Sequence, residues 1–107
     1  MAHAEQQSID RQLEAVLHAL EAVQPEQASS AMKSLAAPAQ QLTRLRNDVI
    51  AMQRGGAALA PQDLLPRLNQ LVSVMASLEY PLAGIHWKRI EGLRKALRSL
   101  MDAVDSG

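Results

Sequence analysis

The stretch Ile90-Glu91-Gly92-Leu93-Arg94-Lys95-Ala96-Leu97-Arg98-Ser99-Leu100-Met101-Asp102-Ala103-Val104 decides the fold. Its large apolar residues, Ile90, Leu93, Leu97, Leu100 and Val104, recur at alternating spacings of three and four. An α-helix turns about 100° per residue, so that spacing gathers them on one face. Working outward, the same pattern opens the chain at Ile9, Leu13, Val16, Leu17, Leu20 and Val23. It recurs at Ala31, Leu35, Leu42, Leu45, Val49 and Met52, and again at Leu64, Leu65, Leu68, Leu71, Val72, Met75 and Leu78. Each stripe needs an apolar partner, and short connections favour antiparallel neighbours. The expectation is an all-α chain folded as an antiparallel, up-down bundle of about four helices.

Composition agrees. The chain has 107 residues, which suits a single domain spanning 1–107. Apolar residues make up 48%, too many for a disordered chain. Tyr80 and Trp87 are its only aromatic residues, and there is no Phe. The core must then be built from Leu, Val, Ile, Met and Ala, which pack well between helices and suit strands less well.

Breakers set the predicted boundaries, about 5–23, 26–54, 63–79 and 82–104. Pro25 disfavours helical geometry at Gln24 and can then open the second helix. Pro38 lies inside that helix, where a proline removes one backbone bond and crowds the preceding turn. The second helix is therefore expected to be kinked, or split near Ala36-Ala37. Gly55-Gly56 should stop it, glycine being the usual residue after a helix C-terminus. Ala57–Gln62 reads as a loop, with Asp63 as N-cap of the third helix and Pro66 in its first turn. Tyr80-Pro81 separates the third and fourth helices, and Asp105-Ser106-Gly107 is expected to fray.

Eleven basic and eleven acidic residues cancel, but unevenly. Residues 1–26 carry Glu5, Asp10, Glu14, Glu21 and Glu26 against Arg11. Residues 80–107 carry Lys88, Arg89, Arg94, Lys95 and Arg98 against Glu91, Asp102 and Asp105. An acidic first helix beside a basic last one is the simplest arrangement. A neutral domain is a poor nucleic-acid binder, which needs a basic footprint. The absence of Cys removes disulfides, thiol nucleophiles and thiolate metal sites. The N-terminus lacks the basic and apolar regions of a signal peptide, and no run approaches the ~20 apolar residues of a membrane span. A cytoplasmic protein of bacterial character, without cofactor, is expected.

No Gly-rich phosphate loop, nucleophile elbow or Ser/His/Asp set is present, so the chain reads as non-enzymatic. Two surfaces suggest protein binding instead. On the third helix the face opposite the stripe holds Asn69, Gln70, Ser73, Ala76 and Ser77, with Arg67 the only charge between Leu64 and Leu78. Exposed helix faces normally carry charges. This one is expected either to meet a partner or a second copy of the chain, or to be buried centrally in the bundle. On the fourth helix, Trp87, Glu91, Arg94 and Arg98 share one side, and Trp and Arg dominate many interfaces. The simpler account has Trp87 covering the bundle end beside Tyr80, with Glu91–Lys95 and Arg98–Asp102 pairs along the helix.

The alternatives are a histidine phosphotransfer module and a metal or small-ligand binder. His86 followed by Arg89 is the only candidate for the first, but Ile90 stands where a small residue would give access. His86 also falls on the apolar stripe, where it can meet Glu79 across the Tyr80-Pro81 turn. For the second, His18 with Glu14 and Glu21 shares one helix face, pointing away from the core. The expectation for this chain is a small helical module that binds other proteins, with self-association included.

Overall fold

In the computed structural model, the described residues are 2–26, 32–78 and 87–106, with side chains described for 5–26, 35–78 and 87–106. They form four helices: α1 Ala2–Glu21, α2 Met32–Arg54, α3 Leu64–Ser77 and α4 Trp87–Ser106. The all-α class expected from the stripes is what forms. No strand occurs among the described residues.

The four helices contact one another in a ring. α1 packs on α2 and α4, and α3 packs on α2 and α4. Every residue of the α4 stripe is buried, as are Ile9, Leu13, Val16, Leu17, Leu20 and Val23 of the first. Leu35, Leu42, Leu45 and Val49 enter from α2, and Leu64, Leu68, Leu71 and Met75 from α3. No polar or charged residue is fully buried among the described residues. Aliphatic interdigitation alone holds the centre, and each buried Leu stabilises by about 1.5–3 kcal/mol relative to exposure.

Polar contacts fix the direction of two helix pairs. Gln6 near the start of α1 reaches the carbonyl of Val104 near the end of α4, whereas Leu20 near the end of α1 meets Arg94. Arg67 and Ser77 of α3 likewise meet Ser99 and Arg89 of α4. Each of these pairs therefore runs in opposite directions.

α2 is described from Met32 onward, residues 27–31 lying outside the described residues, and Pro25-Glu26 form a short 3-10 turn. Of the two expected forms, kinked or split, the split one does not occur: the helix is uninterrupted across Ala36-Ala37 and Pro38. Pro38 is the seventh residue of the helix, past the four N–H groups that lack intrahelical partners, so it deprives the Ser34 carbonyl of its usual donor. Its ring is buried between Leu35 and Leu42 on the wheel, so it extends the apolar stripe.

The end of α2 follows the expected chemistry. Ala57 N–H donates to Met52 O and Gly56 N–H to Gln53 O, both at 3.0 Å. Gly56 has φ of 95°, the left-handed conformation this reversal needs and a side chain resists. The following loop is not merely a surface connector. Leu59 is buried in the core, and Gln6 of α1 pairs with the Ala60 backbone. Ala60 N–H donates to Gln6 Oε1 at 3.2 Å, and Gln6 Nε2 donates back to Ala60 O.

Two terminal expectations change. Asp63 occupies the N-cap position of α3 but its side chain makes no capping bond. It lies 3.9 Å from Arg67 instead. α4 extends through Asp105 and Ser106, past the expected end near 104, with Ser106 Oγ donating to Asp102 O at 2.8 Å, and Gly107 lies outside the described residues.

Candidate functional site

The exposed side of α3 is the first surface to place. Asn69, Gln70, Ser73, Ala76 and Ser77 are all exposed to solvent. The alternative of a helix buried centrally in its own bundle therefore does not hold. The α3 stripe is covered by α2 and α4, and the uncharged face is left outward.

The seam between α3 and α4 borders that face. A groove of about 340 Å³ runs along the seam. Leu71 and Leu93 lie at its floor, Gln70 and Val74 on the α3 side, and Gly92 and Ala96 on the α4 side. Gly92 leaves this seam shallow without any need inside the chain, because a Cβ built there meets nothing within 4 Å. Glycine inside a helix costs about 1 kcal/mol relative to alanine.

An arginine–serine contact bridges the seam at each end. Arg67 Nη2 donates to Ser99 Oγ at 3.0 Å, and Arg89 Nη2 donates to Ser77 Oγ at 2.6 Å. Ser77 Oγ in turn donates to Val74 O at 2.6 Å. Both serines are exposed, so these bonds compete with water.

Trp87, Arg94 and Arg98 are brought together, and what faces them is α1. The Arg94 guanidinium lies 4.6 Å from the centre of the Trp87 ring. Its Nη2 donates to Leu20 O at 2.6 Å and Val23 O at 2.7 Å, and its Nε to Leu20 O at 3.1 Å. Leu20 belongs to the last turn of α1 and Val23 lies two residues past its end, where a cation is favoured by the helix dipole. Arg98 pairs with Glu21 at 3.0 Å rather than with Asp102 of its own helix. The sequence places these residues on one side correctly. Their role in joining α4 to α1 depends on carbonyls more than 70 residues away.

At the other end of the α1–α4 seam lies a feature the stripes conceal. Asp10 faces Asp105, and its Oδ1 is shielded from solvent without a hydrogen-bond donor. Burial, then the Asp105 carboxyl, then Glu14 on α1, hold the Asp10 carboxyl above its ordinary range. Two ionised carboxylates have no proton to share, so this contact opposes the packing of α1 on α4. The wheel alone shows Asp10 flanking the stripe but cannot show which charge it meets.

The remaining candidates are easily placed. His18 and Glu14 are exposed, and Glu21 is engaged with Arg98. No group of three His, Cys, Asp or Glu residues suited to a metal occurs among the described residues. Glu79, Tyr80 and His86 lie outside the described residues. No described helix is long and apolar enough to cross a membrane. No family of known proteins matches the chain, and no curated protein or solved structure is similar to it.

Proposed function

We propose that this chain is a non-catalytic helical module that works by binding another protein, through the exposed face of α3 and the adjoining α3–α4 seam. The supporting observation is that an exposed helix face carries Asn69, Gln70, Ser73, Ala76 and Ser77 and no charge of its own. Charges are depleted where a surface is to be desolvated, because each would have to lose its water. Small side chains also let a second helix approach closely.

Association is measured by light scattering for a second copy of the chain, and by pull-down for other partners. The double variant Ser73→Glu, Ala76→Glu sets two carboxylates in the middle of the face without touching the core. Loss of association in a variant with wild-type helicity is the expected outcome. A folded variant that associates as strongly as wild type excludes this face.

A further inference from the structure

We infer that the α3–α4 groove receives an acidic amphipathic helix of a partner protein. The small and apolar face of that helix would lie against Gly92 and Ala96, and its carboxylates would meet Arg67 and Arg89. This rests on the protein-binding reading above and names the partner's chemistry.

Shape is the first support. A helix can approach α4 closely only where side chains are small, and Gly92, Ala96 and Ser99 stand at i, i+4 and i+7 on one side of it. Small residues alone would say little. Gly92 adds that nothing in this chain requires its missing side chain. Leu71 and Leu93 are buried beneath it, and the apolar surface the groove exposes comes from Val74, Gly92 and Ala96.

Charge selects the occupant. Arg67 and Arg89 stand at opposite ends of the groove, each held over it by a serine hydroxyl. Lys88 and Lys95 are exposed and share the Gly92 side of α4, four residues before and three after it. Among the described residues, Asp63 and Asp102 stand against these four cations, both toward the Arg67 end. Glu91, three residues after Lys88 and four before Lys95, offsets part of this charge on the edge toward Trp87 and Arg94. A rim this basic repels an identical rim, so a second copy docked face to face is disfavoured. It attracts carboxylates, and a carboxylate can accept two parallel bonds from a guanidinium where a serine hydroxyl accepts one.

The spacing is specific. From Arg67 to Ser77 on α3, and from Arg89 to Ser99 on α4, the chain advances ten residues, about 15 Å along a helix axis. A docked helix would therefore present carboxylates ten or eleven residues apart, about three turns, on the two edges of a small or apolar stripe.

The test is selection from a phage library of helical peptides about 18 residues long, roughly 27 Å, on the wild-type protein. Counter-selection uses Gly92→Leu, which fills the groove at a site where a side chain has room, so its fold and thermal midpoint should be retained. Enriched peptides should carry Asp or Glu at the stated spacing around Ala, Val or Leu. A labelled consensus peptide should lose ~tenfold or more in affinity, about 1.4 kcal/mol, for Gly92→Leu and for Arg67→Glu, Arg89→Glu. A peptide with Lys in place of its acids should regain binding to that double variant.

Enrichment of neutral or basic helices, or equal binding by Gly92→Leu, would overturn the inference while leaving the protein-binding reading intact. A dimer in light scattering that Gly92→Leu dissociates would do the same, assigning the groove to a second copy. No enrichment together with a monomer that captures no partner overturns both.

Discussion

Arg94 holds the carbonyl of Leu20 with two of its nitrogens, at 3.1 and 2.6 Å, and so joins the middle of α4 to the last turn of α1. The same guanidinium reaches Val23 O and lies over the Trp87 ring. Two carbonyls and one ring thus converge on one planar cation at the end of α1, where helical carbonyls run short of N–H partners.

Arg94→Ala should destabilise the fold by about 1–3 kcal/mol, since two carbonyls lose a charged donor together. Arg94→Lys should recover only part of this, because an ammonium cannot span the carbonyls with a planar fork. Urea titrations of the three proteins decide it. Equal midpoints for wild type and Arg94→Ala would show that the fork adds nothing to stability.

Gly92→Ala should stabilise the isolated chain by about 0.5–1 kcal/mol, through helix propensity alone. A Cβ at this position meets no neighbour within 4 Å, so no steric cost offsets the gain. A lowered thermal midpoint would mean that this side of α4 is more closely covered than the groove implies.

Asp10 predicts a pH dependence with a definite sign. Its folded-state carboxyl is raised above its ordinary value of 3.8, so the folded chain binds this proton more tightly than the unfolded one. The associated stability is complete below about 3.8 and is lost as pH rises through the folded-state value. Asp10→Asn, which keeps the shape without the charge, should unfold at higher temperature than wild type at pH 7. The two should converge in acid. A variant less stable than wild type at pH 7 would contradict the repulsive reading of the Asp10–Asp105 contact.

Gln6 ties α1 to the loop after α2. Gln6→Ala should cost roughly 1–3 kcal/mol, because the half-buried Ala60 N–H loses its acceptor. Hydrogen exchange should accelerate at Ala60 before it does in the helices. Unchanged exchange at Ala60 would show that water replaces the glutamine without loss.

Much of the fold was legible because apolar periodicity is a local signal. Leu93 and Leu97 declare a helix face whatever lies across from them, and Gly56 declares a chain reversal through its own backbone freedom. Pro38 was legible only in part. Its lost hydrogen bond is a property of the residue, but its value as a buried side chain between Leu35 and Leu42 depends on what packs against α2. The α3 face was legible as an absence of charge, with its exposure left open. α1, α2 and α4 fill the remaining space in a ring, which turns that face outward.

The order of amino acids by itself determined the helical class, the stripes that form the core, the glycine stop after α2 and the lack of a catalytic motif. Each follows from side-chain spacing or from the conformational range of one residue. Only the tertiary structure decided that Arg94 and Arg98 turn to α1, that Asp10 meets Asp105, and that Gln6 grips Ala60. It alone sets Gly92 over an open seam between two arginines. These relationships join residues far apart in the chain, and their distances follow from how four amphipathic helices close on one another. Periodicity says which side of a helix faces inward, but not which neighbour stands beside its edge.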